Sequence, residues 1–245
     1  MTKRATLLAL LLLLGLWEAG ALAVRSPILP DPWNVTVAFL GELPRGLAWH
    51  TLVSAWRVVA SIVLAVALAA PLGLALGQMK KLDRLAAPLV YLTYPIPKIV
   101  LLPIVLLFLG LGDLSKIFII TLILFYQVLV VVRDAAGGIR PELVLSVRSL
   151  GARRRQLYRY VYLPACLPAI LTALRVSTGT AIAVLFFAES FATREGLGYY
   201  IIDTWASLSY TRMYAGVLAM SLLGLALYIG LDWLESRLCR WVKAA

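Results

Sequence analysis

The chain is 245 residues long, 62% apolar and only 14% charged, with a mean hydropathy of +0.91. Soluble domains rarely exceed about half apolar, so the composition excludes a soluble globular protein and predicts a helical membrane bundle with little mass outside the bilayer. The formal charge of +11 would suit nucleic acid, but the basic residues cluster between apolar runs, where they act as topology signals rather than as a nucleic-acid surface.

Six spans are predicted within one transmembrane domain covering residues 1–245, at about 5–24, 51–77, 86–111, 114–133, 168–191 and 211–232. Each is near the roughly 20 residues that cross a bilayer as a helix, and none shows the alternation of a barrel strand. In the first, Lys3 and Arg4, the run Leu7–Leu16 and the small residues Ala19–Ala23 also resemble a cleavable signal peptide. Glu18 lies where its apolar core should end, so the segment is read as a retained span. Residues 25–50 hold Pro27, Pro30, Pro32 and Pro44, which oppose a continuous helix, while Trp33, Phe39 and Trp49 suit an outer interface.

The second span is rich in small residues, among them Ala69, Gly73 and Gly77, which permit close helix contact. In the third, Pro95, Pro97 and Pro103 predict a bend or break. Between the fourth and fifth lies a connector, 134–167, flanked by Arg133 and carrying Arg140, Arg148, Arg153, Arg154, Arg155 and Arg159 against only Asp134 and Glu142. Leu143, Val147 and Leu150 recur there at helical spacing, Gly151 interrupts, and Leu163-Pro164 is expected to end the segment. A solvated connector needs no apolar face, so this one is expected to dock onto something. Residues 192–212 read as a turn at Gly196-Leu197-Gly198 followed by a short amphipathic helix on the outer surface.

The Lys and Arg bias puts this connector, the 78–85 turn and both termini on the cytoplasmic side. Charges inside the spans are Arg57, Lys98 and Glu189. Buried charge in a bilayer costs several kcal/mol, so such residues face the bundle interior or water. Two readings stay open: Lys98 or Arg57 offers positive potential to an anion in transit, or Arg57 pairs with Glu189 while Lys98 snorkels or binds freed backbone carbonyls. Tyr126, Gln127 and Arg175 are further polar points. Cys166 and Cys239 belong to no CxxC pair, and no metal site is expected.

Residues 145–164 resemble the cytoplasmic loop of binding-protein-dependent ABC importer permeases, which follows an E-A-A, three-residue gap, Gly, about nine residues, I-x-L-P pattern. Leu145-Ser146-Val147, Gly151-Ala152 and Val161-Tyr162-Leu163-Pro164 take those places, without the acid or the alanines. Residues 47–77, Tyr94-Pro95-Ile96-Pro97-Lys98, the run Gly110–Ile117, and Ala188-Glu189 followed by Gly196-Leu197-Gly198 are similar, in order, to the subfamily handling nitrate, sulfonates and taurine. The resemblance implies an all-α, six-helix type I importer transmembrane domain in the inner membrane. It implies two permease subunits, as a homodimer, two cytoplasmic ATPases that bind ATP and Mg, and an external binding protein. It also implies ATPase coupling through Arg148, Ser149, Leu150, Gly151, Ala152, Arg153, Gln156 and Leu157.

The chain itself has no G-x-x-x-x-G-K-S/T phosphate loop, so no cofactor and no catalysis are expected here. An intramembrane enzyme is disfavoured by the single histidine, His50, and the scattered acids. A stand-alone carrier or channel would leave the docking loop unexplained. The solute stays open between a small anion (taurine, sulfonate, nitrate) and a heterocyclic vitamin precursor.

Overall fold

The computed structural model describes residues 3–191 and 193–243. In chain order the helices are α1 (Lys3–Val24), α2 (Pro32–Glu42), α3 (Ala48–Gln78), α4 (Lys80–Thr93), α5 (Leu102–Leu109), α6 (Asp113–Gly137), α7 (Pro141–Ser149), α8 (Arg154–Leu157), α9 (Leu163–Ser190), α10 (Leu197–Ala206) and α11 (Tyr210–Leu238). Five helices are long and apolar enough to cross a membrane. Among the described residues one further pair, Lys80–Thr93 with Lys98–Leu109, is long and apolar enough only when taken together and is bent by 79°, the geometry of a broken span or of a re-entrant loop. The third predicted span, 86–111, thus contains the expected break at Pro95 and Pro97, and its first limb begins earlier than predicted, at Lys80.

By internal contacts the chain divides into two compact units: Met1–Ala55 with Glu189–Leu223, and Trp56–Ala188 with Gly224–Ala245. In the first unit α1 presents an exposed leucine face. It is held near its C-terminal end by Trp17, whose Nε1 donates to Pro30 O at 3.0 Å and whose ring lies 6.1 Å from that of Tyr214. Residues 25–50 hold more helix than their prolines suggest. Pro32 occupies the first turn of α2, where no N–H is needed, behind Asp31, whose Oδ1 accepts from Asn34 N at 2.9 Å. Pro44 sits in a π turn, Leu43–Leu47, kinked at Gly46 (φ 128°).

Helix α10 is two-sided, with Asp203 and Trp205 exposed and the opposite face packed. Leu197, Tyr200, Ile201 and Thr204 are buried, and α11 approaches so closely that a Cβ on Gly216 would lie 2.8 Å from the Tyr200 and Ile201 side chains. The Tyr200 hydroxyl donates to Glu42 at 3.0 Å, and Arg212 binds the same oxygen at 3.0 Å. Ala192, in the same predicted outer segment, lies outside the described residues.

The second unit is organised around one apolar cluster that includes Leu74, Leu76, Val128, Val132, Leu157, Val161, Cys166, Ile170 and Cys239. Helix α3 meets α6 through glycines, with the α6 side chains lying directly on its backbone. A Cβ on Gly73 would lie 2.8 Å from Val132 Cβ, and one on Gly77 would lie 2.6 Å from Ala136 Cβ. Burial, with the Glu235 charge, pushes the Cys239 thiol up from its ordinary pKa, so it is packing rather than a reactive group.

Candidate coupling loop and transmembrane charges

The connector is shorter than 134–167, because helix intrudes from both ends. Helix α6 runs to Gly137, and α8 continues through a π turn, Tyr158–Tyr162, into α9. Leu163-Pro164 does not end the segment. Proline removes the N–H that would serve Tyr160 O, and the chain widens to an i+5 bond from Leu163 N to Tyr158 O. What remains is α7, a turn at Leu150–Arg153, and the start of α8.

The turn is built by its own residues. Gly151 has φ +84°, and a Cβ there would meet nothing within 4 Å, so glycine is needed for its backbone and not for space. Gly151 N donates to Arg148 O at 3.0 Å, and Ser149 Oγ donates to Ser146 O at 2.8 Å. Gln156 Oε1 accepts from Arg153 N at 2.6 Å, capping α8.

Burial separates two faces that periodicity had merged. Val144, Val147, Ala152 and Tyr158 pack on the apolar cluster, and Leu157 lies within it at 6% exposure. Leu143, Leu145 and Leu150 point away, Leu150 at 87% exposure, among exposed Arg148, Arg153, Arg154 and Arg155. Val147 and Leu157 therefore fasten the loop to the bundle, while Leu150, Gly151 and the arginines form its free face.

At the break in the third span, Lys98 serves the backbone. Its Nζ donates to Thr93 O at 2.9 Å, Tyr94 O at 2.9 Å and Ile96 O at 3.2 Å, and it lies 4.2 Å from the Tyr126 ring centre. The cause is in the sequence: the residue four beyond Thr93 is Pro97, which has no N–H to give.

Arg57, 3% exposed, binds Asp113 Oδ1 through Nε at 2.8 Å and Nη2 at 2.7 Å. Glu189, fully buried, accepts from Ser54 Oγ at 2.7 Å and Gly198 N at 3.0 Å, while Ser54 Oγ accepts from Leu197 N at 2.8 Å. Gly196 (φ +109°) has room for no side chain: its Cβ would lie 2.6 Å from Glu189 Oε2. The spacing of Ala188-Glu189 and Gly196-Leu197-Gly198 is thus a carboxylate closing onto the turn that starts α10.

Several polar partners were missed in the sequence. Asp113 was not singled out for Arg57. Lys116, fully buried, donates to Leu111 O and to Gly112 O, the latter at 3.1 Å. Arg133 pairs with Asp83 at 2.5 Å, and Arg175 with Asp232 at 2.5 Å and Glu235 at 3.1 Å. Gln127 Oε1 is buried with no hydrogen-bond partner among the described residues.

Residues 61–240 match the model of the family described as binding-protein-dependent transport system inner membrane component. The chain belongs to this family. It is accordingly a multi-pass integral membrane protein, the permease component of an ABC importer. Among its relatives, a putative ABC transporter permease of Methanocaldococcus jannaschii is 32% identical over 93% of this chain and 88% of that protein. The taurine transport system permease protein TauC of Escherichia coli is 30% identical over 92% and 84%. The riboflavin transport system permease protein RibX of Chloroflexus aurantiacus is 32% identical over 95% and 88%. A chain of the methionine ABC transporter MetNI, solved in inward-facing conformations, superposes with a TM-score of 0.65 at 21% identity, covering 78% of this chain and 95% of that one. That likeness gives the fold, the type I importer transmembrane domain.

Proposed function

We propose that this chain forms the translocation path for a small anionic solute of the sulfonate or taurine type, driven by a separate ATPase. The observation that carries the reading is the two-faced connector, with its inner face fixed in the apolar cluster and Leu150 exposed among arginines around a glycine turn. An apolar residue that exposed on a basic loop has no stabilising role within the chain and suits a partner groove with acidic edges. In this reading the loop docks on one of two cytoplasmic ATPase subunits, which bind ATP and Mg. A second copy of the chain completes the path, and an external binding protein delivers the solute. The chain lies in the inner membrane with both termini in the cytoplasm, binds no cofactor and performs no catalysis.

The anionic solute is supported by Lys98. Its partners are carbonyls and a ring, so its positive charge is not cancelled, whereas Arg57 is offset by Asp113. Relatives named for taurine and aliphatic sulfonates agree with this. A heterocyclic vitamin precursor is the second reading, favoured by the relatives named for riboflavin and formylaminopyrimidine transport.

A pull-down of the tagged chain in gentle detergent, with ATPase activity measured on the complex, tests the assignment. An ATPase should co-purify with the wild type and be lost from Gly151→Asp. Intact wild-type protein with no ATPase would return the chain to a stand-alone carrier or channel. Uptake into vesicles holding the complex and its binding protein, competed by taurine, alkanesulfonates, nitrate and riboflavin, then identifies the solute class.

A further inference from the structure

Helix α4 sorts its residues along one stripe. Lys80, Arg84, Ala87, Tyr91 and Tyr94 recur at steps of four, three, four and three, an arc of about 80° on a 3.6-residue helix. The first two are exposed cations. The last three, with Pro95, Val130 and Arg133, line a groove of about 460 Å³ against α6. The groove wall carries one charge, Arg133, and Asp83 offsets it at 2.5 and 3.0 Å.

Because Asp83 is committed to Arg133, Lys80, Lys81 and Arg84 have no carboxylate partner among the described residues. A fourth cation stands at the same end, since Arg154 Nη2 reaches Met79 Sδ at 2.8 Å. From Arg84 to Tyr94 the helix climbs about 15 Å at 1.5 Å per residue, half of the roughly 30 Å hydrocarbon core and so the depth of one leaflet.

We infer that this groove holds one anionic phospholipid of the cytoplasmic leaflet, with its phosphate among Lys80, Arg84 and Arg154 and an acyl chain along Ala87, Tyr91, Tyr94 and Val130. The assignment rests on the orientation proposed above, with the start of α4 at the inner face. Charge selects the head group, because uncompensated cations at the lipid phosphate level favour a net negative lipid over a zwitterion. The apolar wall selects a chain over a small polar solute, which would leave its own hydrogen bonds unmade there. Since Arg154 opens α8, a bound lipid also ties the base of the coupling loop to the first limb of the third span.

Native mass spectrometry of the full chain, released from micelles holding equal phosphatidylglycerol and phosphatidylcholine, tests this. The wild type should retain phosphatidylglycerol preferentially. The double variant Lys80→Gln/Arg84→Gln should lower that preference by up to roughly twenty-fivefold, at about fivefold per basic residue. Lys81→Gln, which removes one charge off the stripe, should keep most of it, and Ala87→Phe should lower retention of both lipids by filling the groove. Equal retention by the wild type, or a preference unmoved by the double variant, overturns the assignment. Displacement of the lipid by added taurine also overturns it and gives the groove to the solute path. Co-purification of the ATPase is read separately, so failure of the lipid site is distinguishable from failure of the importer reading.

Discussion

Replacing Lys98 with Met should loosen the break in the third span before it affects anything else. Three carbonyls lose a donor, those of Thr93, Tyr94 and Ile96 at 2.9, 2.9 and 3.2 Å. Thr93 O would keep only its 3.3 Å bond from Ile96 N, because Pro97 stands where the helix would supply a further N–H. Polar contacts inside membrane proteins average about 0.6 kcal/mol each. Three of them give a loss of about 2 kcal/mol, read as thermal unfolding of the purified complex alongside uptake. Pro97→Ala restores an N–H four residues after Thr93 and should recover about a third of that loss. If Lys98→Met left unfolding unchanged and abolished uptake, the ammonium would act on the solute and not on the break. If Pro97→Ala recovered none of a measured loss, Thr93 O would not be what the lysine serves.

Three further outcomes follow from particular contacts. Gly77→Ala should lower stability by about 1–3 kcal/mol through overpacking, since its Cβ would meet Ala136 Cβ at 2.6 Å and Gly137 N at 2.8 Å; Gly15→Ala, with nothing within 4 Å, should leave the unfolding temperature alone. Gly196→Ala should destabilise more than Gly110→Ala. Both have positive φ, but only the first drives a Cβ into the Glu189 carboxylate, and equal losses would mean that backbone strain alone matters. Leu157→Ala should cost about 2–5 kcal/mol as a core truncation, whereas Leu150→Ala should leave the unfolding temperature in place and reduce solute-stimulated ATPase activity. The reverse pattern would exchange the inner and outer faces of the loop.

The long apolar runs made the spans legible, because the bilayer sets their length. The proline pair marked the break for the same reason that Lys98 is needed there. Other features required three-dimensional pairing. Asp83 with Arg133, and Arg175 with Asp232, lie 50 and 57 positions apart, beyond any local pattern. Helix α2 was within reach: Asp31-Pro32 is a cap followed by proline in the first turn, but counting four prolines as breakers hid it. In the connector, helical spacing identified an apolar face without saying whether it turned inward. Two faces coexist there, and burial alone assigns Val147 to the bundle and Leu150 to solvent.

The charges within the second unit's spans separate by chemistry. Arg57, Arg133 and Arg175 each meet a carboxylate, for which the planar guanidinium fork is the matching donor. Lys98 instead turns to carbonyls at the place where a helix is interrupted. A compact ammonium can satisfy several convergent carbonyls, which a planar fork does poorly. The two solutions differ in what they leave behind. An arginine–carboxylate pair is neutral at a distance, so it fixes helices without biasing what passes between them. A lysine held by carbonyls keeps its unit charge, and at Lys98 that charge sits in the middle of the broken span. One residue can thus close the backbone break and set the sign of the local potential. For that reason the stability and uptake effects of Lys98→Met need separate measurement, and Lys98→Arg, which keeps the charge but fits three convergent carbonyls badly, should cost stability while retaining more uptake per folded complex than Lys98→Met.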